Sequence, residues 1–218
     1  MHLQANQLKL WLPPLILAGI SLVGLQVGYL VFHVLVEFMS MFIAFMAVIV
    51  TVTSRKFTRN NYLDFISVVI GWCAAVDLIH TMAYKGMNLI AHDNGNIGIQ
   101  LWLVARYLQA IGFLIAPLFF VRPLSLWRAN LAFGGLVGVG LWLIVSGHFP
   151  LALSQEHGLT PFKVWSEFII VGIFLLALIH LQYRKSVAPP DLVRYMTYVI
   201  AAMILSELAF TQYAAVDD

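Results

Sequence analysis

The chain has 218 residues, 61% of them hydrophobic and only 10% charged, with a formal net charge of +2. A soluble domain carries about a quarter charged residues, so too little polar surface remains here to cover a water-facing globule, and no basic stripe offers a nucleic-acid surface. The apolar runs are continuous over about twenty positions instead of alternating, which suits membrane-spanning helices and excludes barrel strands.

The expected fold is an all-α, polytopic transmembrane helical bundle of about seven spans. They fall at residues 11–30, 33–53, 62–83, 99–121, 130–147, 164–183 and 193–213. The polar start MHLQANQLKL leads into the first run with no small-residue cleavage site, so that run reads as a retained helix and not as a removed signal peptide. Pro13 and Pro14 suit a first helical turn, where a missing N–H costs nothing. A short turn near residues 29–32 makes the first two spans antiparallel neighbours.

Cys73 is the only cysteine, so no internal disulfide forms, and its apolar surroundings read as burial. Pro117 should kink the fourth span or mark its end. The run FGGLVGVG, with Gly134, Gly135, Gly138 and Gly140, predicts close helix packing; a homodimer interface is the other use of such a stripe. Trp11, Trp102 and Trp165 lie near span ends as interfacial anchors, while Trp72 and Trp142 sit deeper and read as packing. His180 reads as an interfacial histidine, and His92, His148 and His157 as loop residues. Pro189 and Pro190 punctuate the loop before the last span.

Basic residues orient the bundle. With the N-terminus in the cytoplasm, Lys9, Arg55, Lys56, Arg59, Arg122, Arg128, Arg184, Lys185 and Arg194 lie inside. Only Lys85 and Lys163 lie outside, nine against two. Asp64 and Asp191 stay near the inner side. Glu37, Asp77, Asp93, Glu156, Glu167, Glu207, Asp217 and Asp218 fall in the outer half or beyond it.

The second span opens with HVLVE, which puts His33 and Glu37 four residues apart on one helix face. The third ends with DLIH, which puts Asp77 and His80 three apart on one face. Arg106 enters the fourth span, Glu167 the sixth and Glu207 the seventh, all at similar depth. An Asp, Lys or Arg at a helix centre costs about 2.5–3.5 kcal/mol, so these groups should turn inward, pair, and line a wet pocket open to the outer side.

Three uses of that pocket stand beside one another. One is a structural ion-pair network, Arg106 with Asp77 or Glu37 and Lys85 or Lys163 with Glu167. Another is a site for an organic ligand or lipid headgroup, lined by Trp102, Tyr84 and Tyr107. The third is a transition-metal or haem site, with His33, Glu37, Asp77 and His80 as ligands.

The segments FHVLVEFMS, AAVDLIHTMAYKGM, QLWLVARYLQAIGFLIAP, GLTPFKVWSEFII and SELAF occur in that order. They resemble the bacterial membrane-associated sensor domain of the third type, from about residue 32 to 210. The resemblance implies an inner-membrane, non-enzymatic input module coupled to a cytoplasmic diguanylate cyclase or histidine kinase, fused or separate. Its motif residues on this chain are His33, Glu37, Asp77, His80, Lys85, Gly86, Gln100, Trp102, Arg106, Lys163, Glu167 and Glu207. A further helix and an output domain are expected beyond QYAAVDD, because seven spans from an inner N-terminus end outside. A haem- or metal-binding membrane protein and a small transporter are the rival functions. A transporter would want ionisable groups throughout the membrane depth or broken helices at its midplane.

Overall fold

The computed structural model describes residues 2–87, 89–90, 95–154, 156 and 158–211, with backbone alone at 2–11, 13 and 14. Among these, seven long helices dominate: α1 (His2–Val27), α2 (Tyr29–Ser54), α3 (Asn61–Ala83), α4 (Asn96–Ile115), α5 (Leu126–Val145), α6 (Pro161–Tyr183) and α7 (Pro190–Phe210). Helices α2 to α7 are long and apolar enough to cross a bilayer, α4 being counted through Phe120, whereas α1 offers a shorter apolar stretch, Leu15–Val27. The chain is therefore an all-α multi-pass membrane bundle, with six full-length spans among the described residues where the sequence led us to expect about seven.

Helix α1 begins at His2, so Pro13 and Pro14 lie within it and not in its first turn. The preceding residues include Leu, Gln, Ala and Lys, all good helix formers, and the helix extends through them. The break between α1 and α2 is the single residue Gly28, at φ 157° and ψ 152°. That conformation is essentially restricted to glycine, which places the turn just before residues 29–32. The two helices then run antiparallel: Ser21 Oγ lies 3.5 Å from Met39 Sδ, and Gly24 faces Leu35.

Helix α3 starts where the Asn60 side chain accepts the backbone N–H groups of Tyr62 and Leu63, at 3.1 and 3.2 Å, a standard N-cap. Arg55 at the end of α2 reaches Asp64 of α3, Nε to Oδ2 at 2.8 Å, and fastens the two helices at that end. Pro117 ends α4, and the chain continues as a 3-10 helix, Ala116–Phe120. Thr160 caps α6 and Pro161 opens it; Pro190 likewise is the first residue of α7, both in keeping with proline's fit to a first turn. A short hairpin, β1 (Leu153–Ser154) with β2 (Gly158–Leu159), links α5 to α6; its few residues gave no strand signal in the sequence.

The centre of the bundle is α3 against α4. Helices α2 and α5 pack on α3, α6 on α4, α7 on α6, and α1 on α2. Burial follows this order: 56% of the span window of α3 is buried against 6% of that of α2. Besides Gly24 against Leu35, close approach depends on glycine at three places. A Cβ on Gly112 would lie 2.4 Å from Val69, one on Gly134 2.9 Å from Trp72, and one on Gly140 3.0 Å from Val104. Gly135 and Gly138 face open space, so half of the glycine stripe packs within the chain. Trp142 differs from the sequence expectation. It stands on the outer surface, 63% exposed, stacked on His148, because the inner face of α5 is taken by Phe133, Val137 and Ile144.

The two ends of the bundle differ in charge. Arg55, Lys56, Arg59, Arg122, Arg128, Arg184, Lys185 and Arg194 all sit where α2, the 3-10 helix and α6 finish and α3, α5 and α7 begin. The opposite end carries the chamber described next. His92, Asp93, His157, Asp217 and Asp218 lie outside the described residues, as do the side chains of Lys9 and Trp11.

Candidate functional site

A cavity of about 220 Å³ opens between the start of α2, the end of α3, the start of α4, the start of α6 and the end of α7. Its walls include Tyr29, Phe32, His33 and Glu37 of α2, His80 and Tyr84, Trp102, Lys163 and Glu167, and Phe210. These side chains meet because each sits within about two turns of the same end of its helix, and helices alternate direction along the chain.

On one side stand His33, Glu37 and His80, each offering a ligand atom within 4.8 Å of the other two. His33 and Glu37 are one turn apart on α2. The His33 ring stacks on Tyr84 at 3.8 Å and meets the His80 ring edge-on at 5.8 Å. The His80 Nδ1 lies 2.7 Å from the Gly98 carbonyl. A carbonyl can only accept, so Nδ1 carries the proton and Nε2 keeps the lone pair.

Behind this group lies a buried ion pair. Arg106 donates from Nη2 to both oxygens of Asp77, at 2.9 and 2.8 Å, and from Nη1 to Gln109 Oε1 at 2.6 Å. Asp77 is thus turned toward α4 and stands apart from the three converging ligands, although it shares a helix face with His80. Glu37 still feels the charges of both Asp77 and Arg106.

On the other side, Lys163 Nζ sits 2.6 Å from Glu167 Oε1 and donates to the Phe210 carbonyl at 3.3 Å. Its ammonium also lies 6.0 Å from the centre of the Trp102 ring, within reach of a cation–π contact. Glu167 is completely buried and Glu207 nearly so. Glu207 experiences the charges of Arg106, Glu167 and Lys163, and its Oε2 has no hydrogen-bond partner among the described residues. The two clusters therefore share one electrostatic layer.

Of the residues singled out in the sequence, His33, Glu37, His80, Trp102, Lys163 and Glu167 line the cavity. Asp77 and Arg106 buttress it, and Glu207 lies buried beside it. Gln100 instead holds the loop after α5, donating to the Phe149 and Pro150 carbonyls. Lys85 is exposed beyond the end of α3. Tyr107 packs on the hydrophobic core and not on the cavity. His180 is drawn to the other end of the bundle, where its Nδ1 meets the Leu114 carbonyl at 2.8 Å.

Sequence reasoning passed over Tyr29, Phe32, Gln109 and the Gly98 carbonyl. Tyr29 lies four residues before His33 and Gln109 three after Arg106, so helical spacing held the signal for both. Gly98 contributes a main-chain atom, which a reading of side chains does not register.

A multi-pass bundle with an ionisable chamber confined to one end has the character of a membrane receptor domain. Residues 26–218 match the family model MASE3, membrane-associated sensor domain. The chain belongs to that family and is a membrane sensor domain. No curated protein and no solved structure matched it.

Proposed function

We propose that the chain is the input module of a bacterial signalling protein, binding its cue in the chamber and relaying occupancy to a cytoplasmic output, a diguanylate cyclase or a histidine kinase. The observation that carries this reading is the convergence of costly ionisable groups from α2, α3 and α6 on one cavity, backed by Arg106 of α4 and Glu207 of α7. Groups that serve only as structural pairs would satisfy one another. Here the Asp77 carboxylate is taken by Arg106, while His33 Nε2 and Glu207 Oε2 are buried without a hydrogen-bond partner among the described residues.

The basic end belongs in the cytoplasm by the positive-inside rule, and the chamber then faces the outer leaflet. Below the chamber the centre is apolar, filled by Val69, Phe113, Ile170 and Phe174. That closed core favours a receptor over a transporter, which needs a path through the membrane. Helix α2 is the element suited to respond. It is the least buried of the spans and is fastened by Arg55–Asp64 at its far end, while its near end supplies His33 and Glu37. A cue that binds one placement of α2 better than another shifts the equilibrium by that difference in affinity.

The test is a chimera joining this domain to a cyclase output. Asp77→Ala and His80→Ala are expected to blunt the response while the protein stays in the membrane at normal abundance. Normal signalling by both variants would remove the chamber from the mechanism.

A further inference from the structure

We propose that His33, Glu37 and His80 form a binding site for one divalent transition-metal ion, a reading that rests on the chamber being the ligand site. Three observations on the geometry lead there. First, the ligand atoms of the three residues already lie within 4.8 Å of one another. Around a tetrahedral ion with bonds of roughly 2.1 Å, neighbouring ligands sit roughly 3.4 Å apart. The site is thus slightly open, and rotation of side chains on the lightly packed α2 can close it.

Second, the histidines are prepared as ligands. The Gly98 carbonyl holds the Nδ1–H of His80 at 2.7 Å, leaving Nε2 with its lone pair. Ligating histidines regularly donate their second nitrogen to a carbonyl or carboxylate in this way. His33 is held by stacking on Tyr84, and its Nε2 is buried without a hydrogen-bond partner among the described residues. A nitrogen in that position is costly unless something fills it.

Third, the layer holds more carboxyl groups than cations. Among the described residues that line or back the cavity, the cations Arg106 and Lys163 face the carboxyl groups of Glu37, Asp77, Glu167 and Glu207. Four carboxyl groups beside two cations leave acidic groups that a divalent cation can recruit in a medium where unpaired charge is expensive.

The donor set selects the class of ion. Two imidazoles and one carboxylate suit zinc, cobalt, nickel or copper, whereas magnesium and calcium want oxygen ligands. Three protein ligands leave a coordination position facing the cavity, as in sites that exchange their occupant. The volume agrees: about 220 Å³ lies below the roughly 300–1,000 Å³ of sites that enclose an organic ligand, and a haem is larger than a small organic ligand. Asp77, paired to Arg106, is not a ligand in this arrangement.

The experiment titrates the purified chain in lipid nanodiscs with cobalt(II), then displaces it with zinc(II). About one cobalt per chain is expected, with the visible ligand-field bands of a tetrahedral nitrogen–oxygen site that zinc removes. His33→Gln, Glu37→Gln and His80→Gln should each weaken binding by more than roughly 100-fold, beyond what loss of a supporting hydrogen bond costs. The glutamine at 80 retains a donor for the Gly98 carbonyl, and Glu37→Gln keeps the side-chain shape, so folding is preserved in at least one variant; circular dichroism and gel filtration verify it. His148→Ala, on the exposed histidine, should change nothing. A folded wild-type chain that retains no metal overturns the proposal, as does equal retention by all three ligand variants. If metal is absent but His80→Gln still silences the chimera, the chamber remains the sensory site and only its metal is lost. If metal binds as described and the ligand variants signal normally, the site stands and the sensory reading falls.

Discussion

The guanidinium of Arg106 grips both carboxylate oxygens of Asp77, at 2.9 and 2.8 Å, across the α3–α4 interface at the centre of the bundle. The pair sits immediately behind the chamber, with Gln109 accepting from the other terminal nitrogen of Arg106. Breaking it should therefore be severe. Arg106→Ala strands the Asp77 carboxylate and is expected to cost about 3–5 kcal/mol. Arg106→Lys keeps the charge and one nitrogen for Asp77 but loses the second donor, Nη1, to Gln109 and should fall between alanine and wild type. The double variant Asp77→Asn with Arg106→Gln should lose less than the summed single variants. Thermal unfolding in detergent measures the wild type, these variants and the two single variants of the cycle, and strict additivity would contradict the direct coupling.

His180 serves a carbonyl left over where α4 gives way to the 3-10 helix at Pro117. Pro117 has no N–H to return to Phe113, and the switch to 3-10 bonding draws the Leu118 N–H away from Leu114. His180 Nδ1 takes the Leu114 carbonyl at 2.8 Å. His180→Ala should then destabilise by about 1–3 kcal/mol. In a Pro117→Ala background, where α4 can continue, the same change should cost distinctly less. Equal costs in the two backgrounds, read from unfolding midpoints, would show that His180 serves some other purpose.

Gly112 lets α4 lie directly on α3. An added Cβ would come within 2.4 Å of Val69 Cγ1, and Val69 is fully buried. Gly112→Ala is expected to cost about 1–3 kcal/mol through overpacking. Trimming the neighbour with Val69→Ala should recover part of that loss, although Val69→Ala alone leaves a void. Absence of any rescue in thermal scans would mean that the helices separate instead of clashing.

Orientation is open to chemical labelling, because Cys73 is buried and gives a silent background. His148→Cys, at the chamber end, should react in intact bacterial cells with a maleimide that cannot cross the membrane. Lys56→Cys, at the basic end, should react only after permeabilisation. The reverse pattern would place the chamber at the cytoplasmic face.

Much of this molecule can be read without coordinates, for identifiable reasons. Lipid leaves backbone groups no partner outside the segment, so twenty-residue apolar runs define helices wherever they occur. Pro117 ends α4 because proline's missing N–H cannot be replaced from elsewhere in the sequence. Helical spacing placed His33 with Glu37 and Asp77 with His80, each pair on one face. The depth of the charged groups follows from counting residues from span ends. The start of α1 was less legible: its polar residues are good helix formers, and periodicity carries no mark where an amphipathic or polar helix meets an apolar one.

Composition and periodicity by themselves determined a membrane-spanning helical bundle with its ionisable groups at one level, since both follow from the cost of placing polar atoms in hydrocarbon. Which of those groups touch was decided only by the tertiary structure. Asp77 and His80 share a face of α3, yet Asp77 turns to Arg106 while His80 turns to His33 and Glu37. Rotation and tilt of neighbouring helices choose between such partners, and those depend on packing among Gly112, Val69 and their surroundings, further along the same two helices, where periodicity does not say which side chain meets which.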